Sequence, residues 1–397
     1  MTGQLKSWRG APLLSVKTLK TVDEIREHRE LWNWPGTRDS DLDYFLHFAG
    51  MQAEVLRPQV WVAYRGNVPE AMLISRLEKR RIPIRLGYLK LPTPRVRLLN
   101  VVYGGWRGST AKDTTEALVE EVLKTLRCGE ADVAVCERLA ANSQLCHTLG
   151  ALPRRLERGF CWEQQNHYRL RLPGSSEALY EMVSAKRKAN YLRKERKLVR
   201  DFSGDVFCQW YRQASPVIYR DLEFIAERSY QRGLGVGFQD TPELRGWWDL
   251  AGSKGRLRLC ILYVGGKPCA FFAGEVYGGI LTGDYMAYDR QFASYSPGMY
   301  LLVRSLGELC DCREKHGILE IDFGPGDSEL KSLLSSSITQ QSTVYVYART
   351  LQGVGLNLIF SLVFLAHRSA KMLLARGNLL AKARRLRRKH ASRNLAS

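Results

Sequence analysis

The sequence contains no CxxC pair, no HExxH and no other histidine or cysteine spacing that would hold a metal, although it has nine cysteines and seven histidines. A structural metal is therefore not expected. The cysteine count is odd and the residues are scattered from Cys128 to Cys312, which argues against a disulfide framework and for small core residues in a reducing cytosol. Met1 to Val16 lacks the apolar core of a secretory leader, so a cytoplasmic location is expected. No apolar run approaches the roughly 18–20 residues of a membrane-spanning helix; Asn357–Ala366 has ten. Acid is missing from Val354 to Ser397, which carries ten Lys/Arg. A second basic segment, Ser184–Arg200, has eight Lys/Arg against Glu195. These two stretches account for most of the net charge of +20. The remainder is nearly neutral, which does not suit a uniformly basic nucleic-acid binder. Aromatic-interleaved single-strand binding motifs are absent as well. The expected partner of the charge is a phosphorylated substrate or cofactor, or an acidic lipid surface.

What is present is an ordinary globular composition, 45% hydrophobic and 25% charged, over 397 residues, a length that suits two domains. The first half alternates helix and strand. Val22–Trp32 is helical, and Val60–Ser75 is a hairpin turning at Gly66-Asn67. Leu98–Tyr103 is a strand ending in Gly104-Gly105, Thr114–Leu126 a helix, Ala131–Cys136 a strand and Ser143–Leu149 a short helix. Cys161–Leu172 closes the unit before Pro173-Gly174. The second half repeats the order. A basic helix spans about 177–200 and a second helix Asp221–Gln231. Leu257–Tyr263 and Cys269–Val276 form a hairpin about Gly265-Gly266. Then come strand Ile280–Tyr288, a helix from Ser296-Pro-Gly, strand Ile318–Phe323, a short helix at Glu329–Leu334 and strand Thr343–Ala348. We read a duplication of fold with units 1–172 and 173–350, and a basic amphipathic tail, 351–397, that can lie on an anionic membrane or on the protein itself.

Gly283 to Leu302 is the most informative segment. Ser296 suits an N-cap and Pro297 the first helical position. Gly298 leaves first-turn N–H groups uncovered, and such a turn favours an anion such as a pyrophosphate; a plainly capped helix is the competing reading. Lys186, Asn190, Arg193, Lys197 and Arg200 share one face of the basic helix, with Tyr191, Leu192, Leu198 and Val199 opposite. That face is either solvated or a clamp for phosphates.

Three pieces together carry a resemblance: Arg187–Leu198, Tyr295-Ser-Pro-Gly-Met-Tyr-Leu-Leu302, and Ile321-Asp-Phe-Gly-Pro-Gly-Asp327 followed by Leu330-Lys331. In order and spacing the C-terminal half resembles the GNAT-superfamily group named for cellulose-biosynthesis acetyltransferases, related to the Fem-type peptidyltransferases. The group commonly has Tyr-Lys where Leu330-Lys331 stands. The resemblance implies an α/β fold of tandem GNAT-like domains, each a mixed, mostly antiparallel sheet flanked by helices, with a degenerate N-terminal copy and a C-terminal acyltransferase. It implies acetyl-CoA or another acyl-CoA as donor, with its pantetheine between strands Ile280–Tyr288 and Ile318–Phe323 and its pyrophosphate on Ser296, Pro297, Gly298, Met299 and Tyr300. Backbone N–H groups of Ile280–Tyr288 would stabilise the oxyanion. Asp322 and Asp284 are the acid/base candidates, with Lys331 balancing their charge or contacting the acceptor. Ile321 and Phe323 would desolvate Asp322 and raise its pKa; alternatively Asp322 caps the following loop. Arg187, Arg193, Lys197 and Asp327 are the expected acceptor contacts. The expected acceptor is a sugar or amine, a small molecule or polysaccharide precursor in envelope or exopolysaccharide synthesis. Fem-type transfer from charged tRNA, and a non-catalytic module binding membrane or RNA, are the competing readings.

Overall fold

The computed structural model describes residues 13–376 except 83, 87–88, 160–163, 234 and 236. These residues fall into two compact units, one of 13–164 with 341–368, the other of 165–340 with 369–376.

The first unit opens with β1 (Leu14–Leu19), α1 (Val22–Glu27) and α2 (Leu42–Met51). β2 (Val55–Arg65) and β3 (Val68–Arg81) form the expected hairpin, with Gly66 at φ +62°. A small hairpin, β4 (Ile84–Leu86) and β5 (Leu89–Leu91), leads to β6 (Arg95–Gly108), α3 (Lys112–Arg127), β7 (Val133–Ala140) and α4 (Gln144–Ala151). β6 is longer than the sequence suggested because it runs through its glycines: a Cβ at Gly105 would sit 2.6 Å from the Ile74 carbonyl oxygen. α3 buries Leu118, Val119, Val122, Leu123 and Leu126 at helical spacing, with Asp113 in its first turn and Arg127 in its last. The sheet order is β1-β2-β3-β6-β7-β14, where β14 is Ser337–Tyr347. All these pairings are antiparallel except β6 with β7.

The second unit contains β8 (Gln165–Arg171), α5 (Ser176–Glu181), α6 (Ala185–Asp201), β9 (Val206–Tyr211), α7 (Pro216–Glu227), α8 (Tyr230–Gly233) and α9 (Pro242–Ser253). It continues with β10 (Leu257–Val264), β11 (Lys267–Tyr277), β12 (Ile280–Tyr288), α10 (Pro297–Asp311), α11 (Arg313–His316), β13 (Glu320–Pro325) and α12 (Glu329–Leu334). The order is β8-β13-β12-β11-β10-β9, again antiparallel except for one pair, β12 with β13. Among the described residues each unit thus has one parallel pair, β6 and β7 connected through α3 and β12 and β13 through α10 and α11. The expected tandem, mixed, mostly antiparallel sheets are present. One core lies between the sheet and α5, α6 and α10, around Leu301, Leu306, Ile321 and Leu198; another lies on the opposite face beneath α7 and α9, around Ile225, Trp248 and Phe271. A fully buried leucine such as Leu301 contributes about 1.5–3 kcal/mol.

Two readings of the chain change. β8 pairs with β13 of the second unit rather than closing the first, and the Gln341–Tyr347 part of β14 pairs with β7 of the first rather than finishing the second. The basic helix is two helices, broken at 182–184. On α6, Leu198 is buried and Tyr191 and Leu192 are half-buried, but Val199 is exposed. The chain ends in α13 (Leu351–Arg376); Lys382–Lys389 lies outside the described residues.

Candidate functional site

β12 and β13 share only three residue pairs, Ile280↔Glu320, Leu281↔Ile321 and Thr282↔Asp322. Beyond Thr282, β12 continues on β11 while β13 continues on β8. Two irregularities drive them apart. The register of β11 and β12 shifts between Ala273 and Gly274, leaving Asp284 as an extra residue. The register of β13 and β8 shifts between Asp322 and Gly324, where Gly324 takes φ +71°. Bulges bend strands and re-aim their edge groups, so β12 leaves the ladder with β13 past Thr282, and there the Met286 carbonyl accepts from Gln231 Nε2 at 2.9 Å. Gly283 sits at its start, where a Cβ would lie 3.1 Å from the Phe272 ring. Asp284, on the bulge, is half-buried.

Asp322 stands at the branch point and is 4% exposed. Its neighbours Ile321 and Phe323 belong to the core beneath α10. Alternation along the strand therefore turns the carboxylate to the other face. There Oδ1 lies 2.6 Å from His167 Nε2 and accepts the Gly324 N–H at 2.7 Å, and Oδ2 lies 3.6 Å from Arg169 Nε. Burial pushes the carboxyl up, but His167, the Gly324 N–H and Arg169 together outweigh it and hold the pKa below the usual value. The expected rise is corrected: the apolar neighbours do not surround the carboxylate. The loop-capping bond to Gly324 is present. Lys331 Nζ donates to the carbonyls of Pro325 at 2.9 Å and Gly324 at 3.4 Å. Burial lowers its pKa against the opposing charges of Asp322 and Asp327. Asp327 accepts from Tyr168 Oη at 2.7 Å and Asn166 Nδ2 at 3.0 Å. Lys331 and Asp327 thus fix the Gly-Pro-Gly turn to its own helix and to β8.

Ser296 does not cap α10 with its side chain. It adopts a left-handed backbone, φ 55° and ψ 54°, and its hydroxyl accepts from Lys194 Nζ on α6. Its carbonyl accepts the N–H groups of both Met299 and Tyr300, at 3.0 and 3.1 Å. Pro297 has no N–H, so Gly298 alone in the first turn lies outside that bonding, fewer open donors than the sequence suggested. Gly298 packs on Tyr288, whose ring would meet a Cβ there at 3.2 Å. Beside this turn lies a cavity of about 410 Å³. Leu179, Val183, Val303, Leu306, Leu333 and Leu334 make it apolar, while Arg187, Lys188 and Lys194 of α6 give it a basic side. The structure thus brings Arg187, Ser296, Met299 and Tyr300 to one cavity. Arg193 and Lys197 are elsewhere on exposed α6: Arg193 bonds Asn190, and Lys197 lies over the Tyr295 ring at 5.0 Å. Arg187 is paired with Glu329 of α12.

Sequence reasoning missed His167, Arg169 and Lys194. Lys194 lay within a segment already singled out. His167 carried no signal, because nothing local assigns β8 to β13.

The family match falls in the second unit, and the likenesses to solved structures span most of the chain. Residues 185–332 match the acetyltransferase (GNAT) domain family. No curated protein matches the sequence. Among solved structures, FemX is similar over 87% of this chain and all of its own, with TM-score 0.55 at 10% identity. A tandem GNAT protein from the clavulanic acid biosynthesis pathway matches 85% of this chain and 99% of its own at 10% identity, with TM-score 0.49. The C-terminal domain of a putative lysylphosphatidylglycerol synthetase from Agrobacterium fabrum matches 86% and 97% at 14% identity, also with TM-score 0.49. At these identities the likeness to FemX speaks to the fold alone.

Proposed function

We propose that this chain transfers an acyl group from acyl-CoA to an amine or hydroxyl, and that the second unit performs the reaction. The observation that carries the reading is the parting of β12 and β13 after Thr282 and Asp322. Past that point β12 has no ladder to β13, and its Tyr288 lies against Gly298 in the first turn of α10; this is where we place the thioester. A thioester lying there meets backbone donors suited to the oxyanion that forms when the acceptor attacks the carbonyl. As the tetrahedral intermediate collapses, the C–S bond breaks and the CoA thiol leaves. Lys194 and Lys188 supply positive charge for the donor's phosphates at the cavity beside Ser296. Asp284, on the bulge, is the group we favour to take the acceptor's proton, since Asp322 is 4% exposed and its pKa is held low. Asp322 then acts by fixing β13. The acceptor class we favour is a sugar or amine of envelope or exopolysaccharide precursors, in the cytoplasm, as in the cellulose-biosynthesis group.

Calorimetric titration with acetyl-CoA, and separately with aminoacyl-tRNA, tests the donor. Binding of acetyl-CoA that falls on Lys194→Met supports the reading. Binding of charged tRNA with no response to acetyl-CoA replaces it with aminoacyl transfer.

A further inference from the structure

α13 has two apolar faces. The inner one, Leu356, Phe360 and Val363, packs on the first unit's sheet with Val133, Val135 and Tyr347. Phe360 lies 5.2 Å from the Tyr345 ring and 6.2 Å from that of Tyr347. Gly353 lets the helix begin against the backbone: a Cβ there would be 2.3 Å from the Ala348 carbonyl oxygen. The helix is thus seated by its inner face, which fixes where the outer face points.

That outer face is the larger surprise. Leu351, Val354, Leu358, Leu362 and Leu365 recur at intervals of three and four residues, so they form one stripe. Ile359 flanks it. They are 95, 40, 60, 58 and 52% exposed in that order, and Ile359 is 40% exposed. Leu156, 63% exposed, extends the stripe from the loop before β8. Between that loop and the helix runs a groove of about 490 Å³, lined by Arg155, Leu156, Arg158, Val354, Leu358 and Ser361. Asn357 ties the two walls together by donating to the carbonyls of Leu156 and Arg158. Soluble proteins rarely leave so continuous an aliphatic surface in water.

The charges around the stripe select its occupant. Arg154, Arg155, Arg158, Arg349 and Arg368 are all exposed. Glu157, the acid in this loop, is buried and already paired with Arg127 and Arg349. No acid occurs between Leu351 and Ser397. A second copy laid on this face would therefore set arginine against arginine with no carboxylate on the helix to answer it. A phospholipid surface carrying negative headgroups answers both the aliphatic stripe and its basic rim. No helix among the described residues is long and apolar enough to cross a membrane, so the match is to a helix lying in the interface.

We propose that the outward face of α13, together with Leu156 and Arg155, docks this protein on an anionic lipid surface. The inserting groups are the aliphatic side chains of the stripe, and the arginines meet the headgroups. This differs from attraction by a basic tail alone, which would leave the stripe unused.

The test is vesicle flotation of the full chain with phosphatidylcholine alone and with added phosphatidylglycerol. Wild type and the Leu358→Glu/Leu362→Glu double variant are compared, with circular dichroism as the check on folding and sedimentation velocity for oligomeric state. Both residues are exposed, so the variant should fold; Leu358→Gln/Leu362→Gln is the milder replacement. The proposal expects flotation only with phosphatidylglycerol, and a loss of about ten-fold or more in the variants. Equal flotation of wild type and variants overturns it, as does equal flotation on neutral vesicles. A wild-type dimer that the substitutions dissociate also overturns it, by assigning the face to a second copy.

Discussion

Replacing Asp322 with asparagine removes one member of a buried pair and keeps the shape of the other contacts. The carboxylate is 4% exposed and His167 1%, so neither group has water to fall back on. Removing one partner of such a pair costs about 3–5 kcal/mol. An asparagine Oδ1 still accepts the Gly324 N–H, a bond contributing about 1 kcal/mol. The expected net loss is thus about 2–4 kcal/mol at neutral pH, which urea denaturation resolves. Asp322→Ala, which loses that bond too, should cost about 3–5 kcal/mol. The pH dependence has a definite sign. The folded pKa lies below the unfolded one, so the stabilisation is complete above the unfolded value of about 3.9. It is lost as pH falls through the folded value. Wild type and Asp322→Asn should therefore differ fully at pH 7 and converge in acid. An asparagine variant within about 0.5 kcal/mol of wild type at pH 7, with a parallel acid profile, would refute the claim that this carboxylate is ionised and paired in the fold.

Other outcomes follow from equally local geometry. Arg107 is 1% exposed and donates to the carbonyls of Trp32, Trp34 and Ser40 and to the Ser40 hydroxyl; Arg107→Met should leave these acceptors unpaired and lower stability by about 3 kcal/mol or more in thermal or urea unfolding. Gly353→Val should lower the melting temperature by overpacking the start of α13 against Ala348 and Asp132, at about 1–3 kcal/mol. Gly298→Val should press on Tyr288 and weaken acetyl-CoA binding several-fold in calorimetry, with circular dichroism little changed. Lys194→Met should reduce that affinity by about ten-fold and flatten its dependence on salt.

Much of the scaffold was legible because its signals are local. Gly66 and Gly265-Gly266 announce hairpins by their positive φ, and α12 follows directly from Ser328, whose hydroxyl accepts the Lys331 N–H. The pairing of β8 with β13, and of β14 with β7, was not legible. Alternation tells which face of a strand is apolar but not which neighbour it pairs with. The same gap hid His167, and with it the surroundings of Asp322: Ile321 and Phe323 adjoin it in sequence but lie across the sheet. Ser296 misled for another reason. Serine before Pro-Gly reads as a cap, yet here its backbone is left-handed and its hydroxyl is taken by Lys194. The cavity beside it joins four helices, α5, α6, α10 and α12, so no single segment could display it.

The proposed acyl-CoA site lies where β12 and β13 part after Thr282 and Asp322. Amide hydrogen exchange of the full chain, followed by mass spectrometry with and without acetyl-CoA, tests it most directly. Bound acetyl-CoA should slow exchange in peptides covering Gly283–Tyr288 and the Ser296–Tyr300 turn. Protection confined to other segments, or no change at acetyl-CoA concentrations that saturate calorimetric binding, would contradict it.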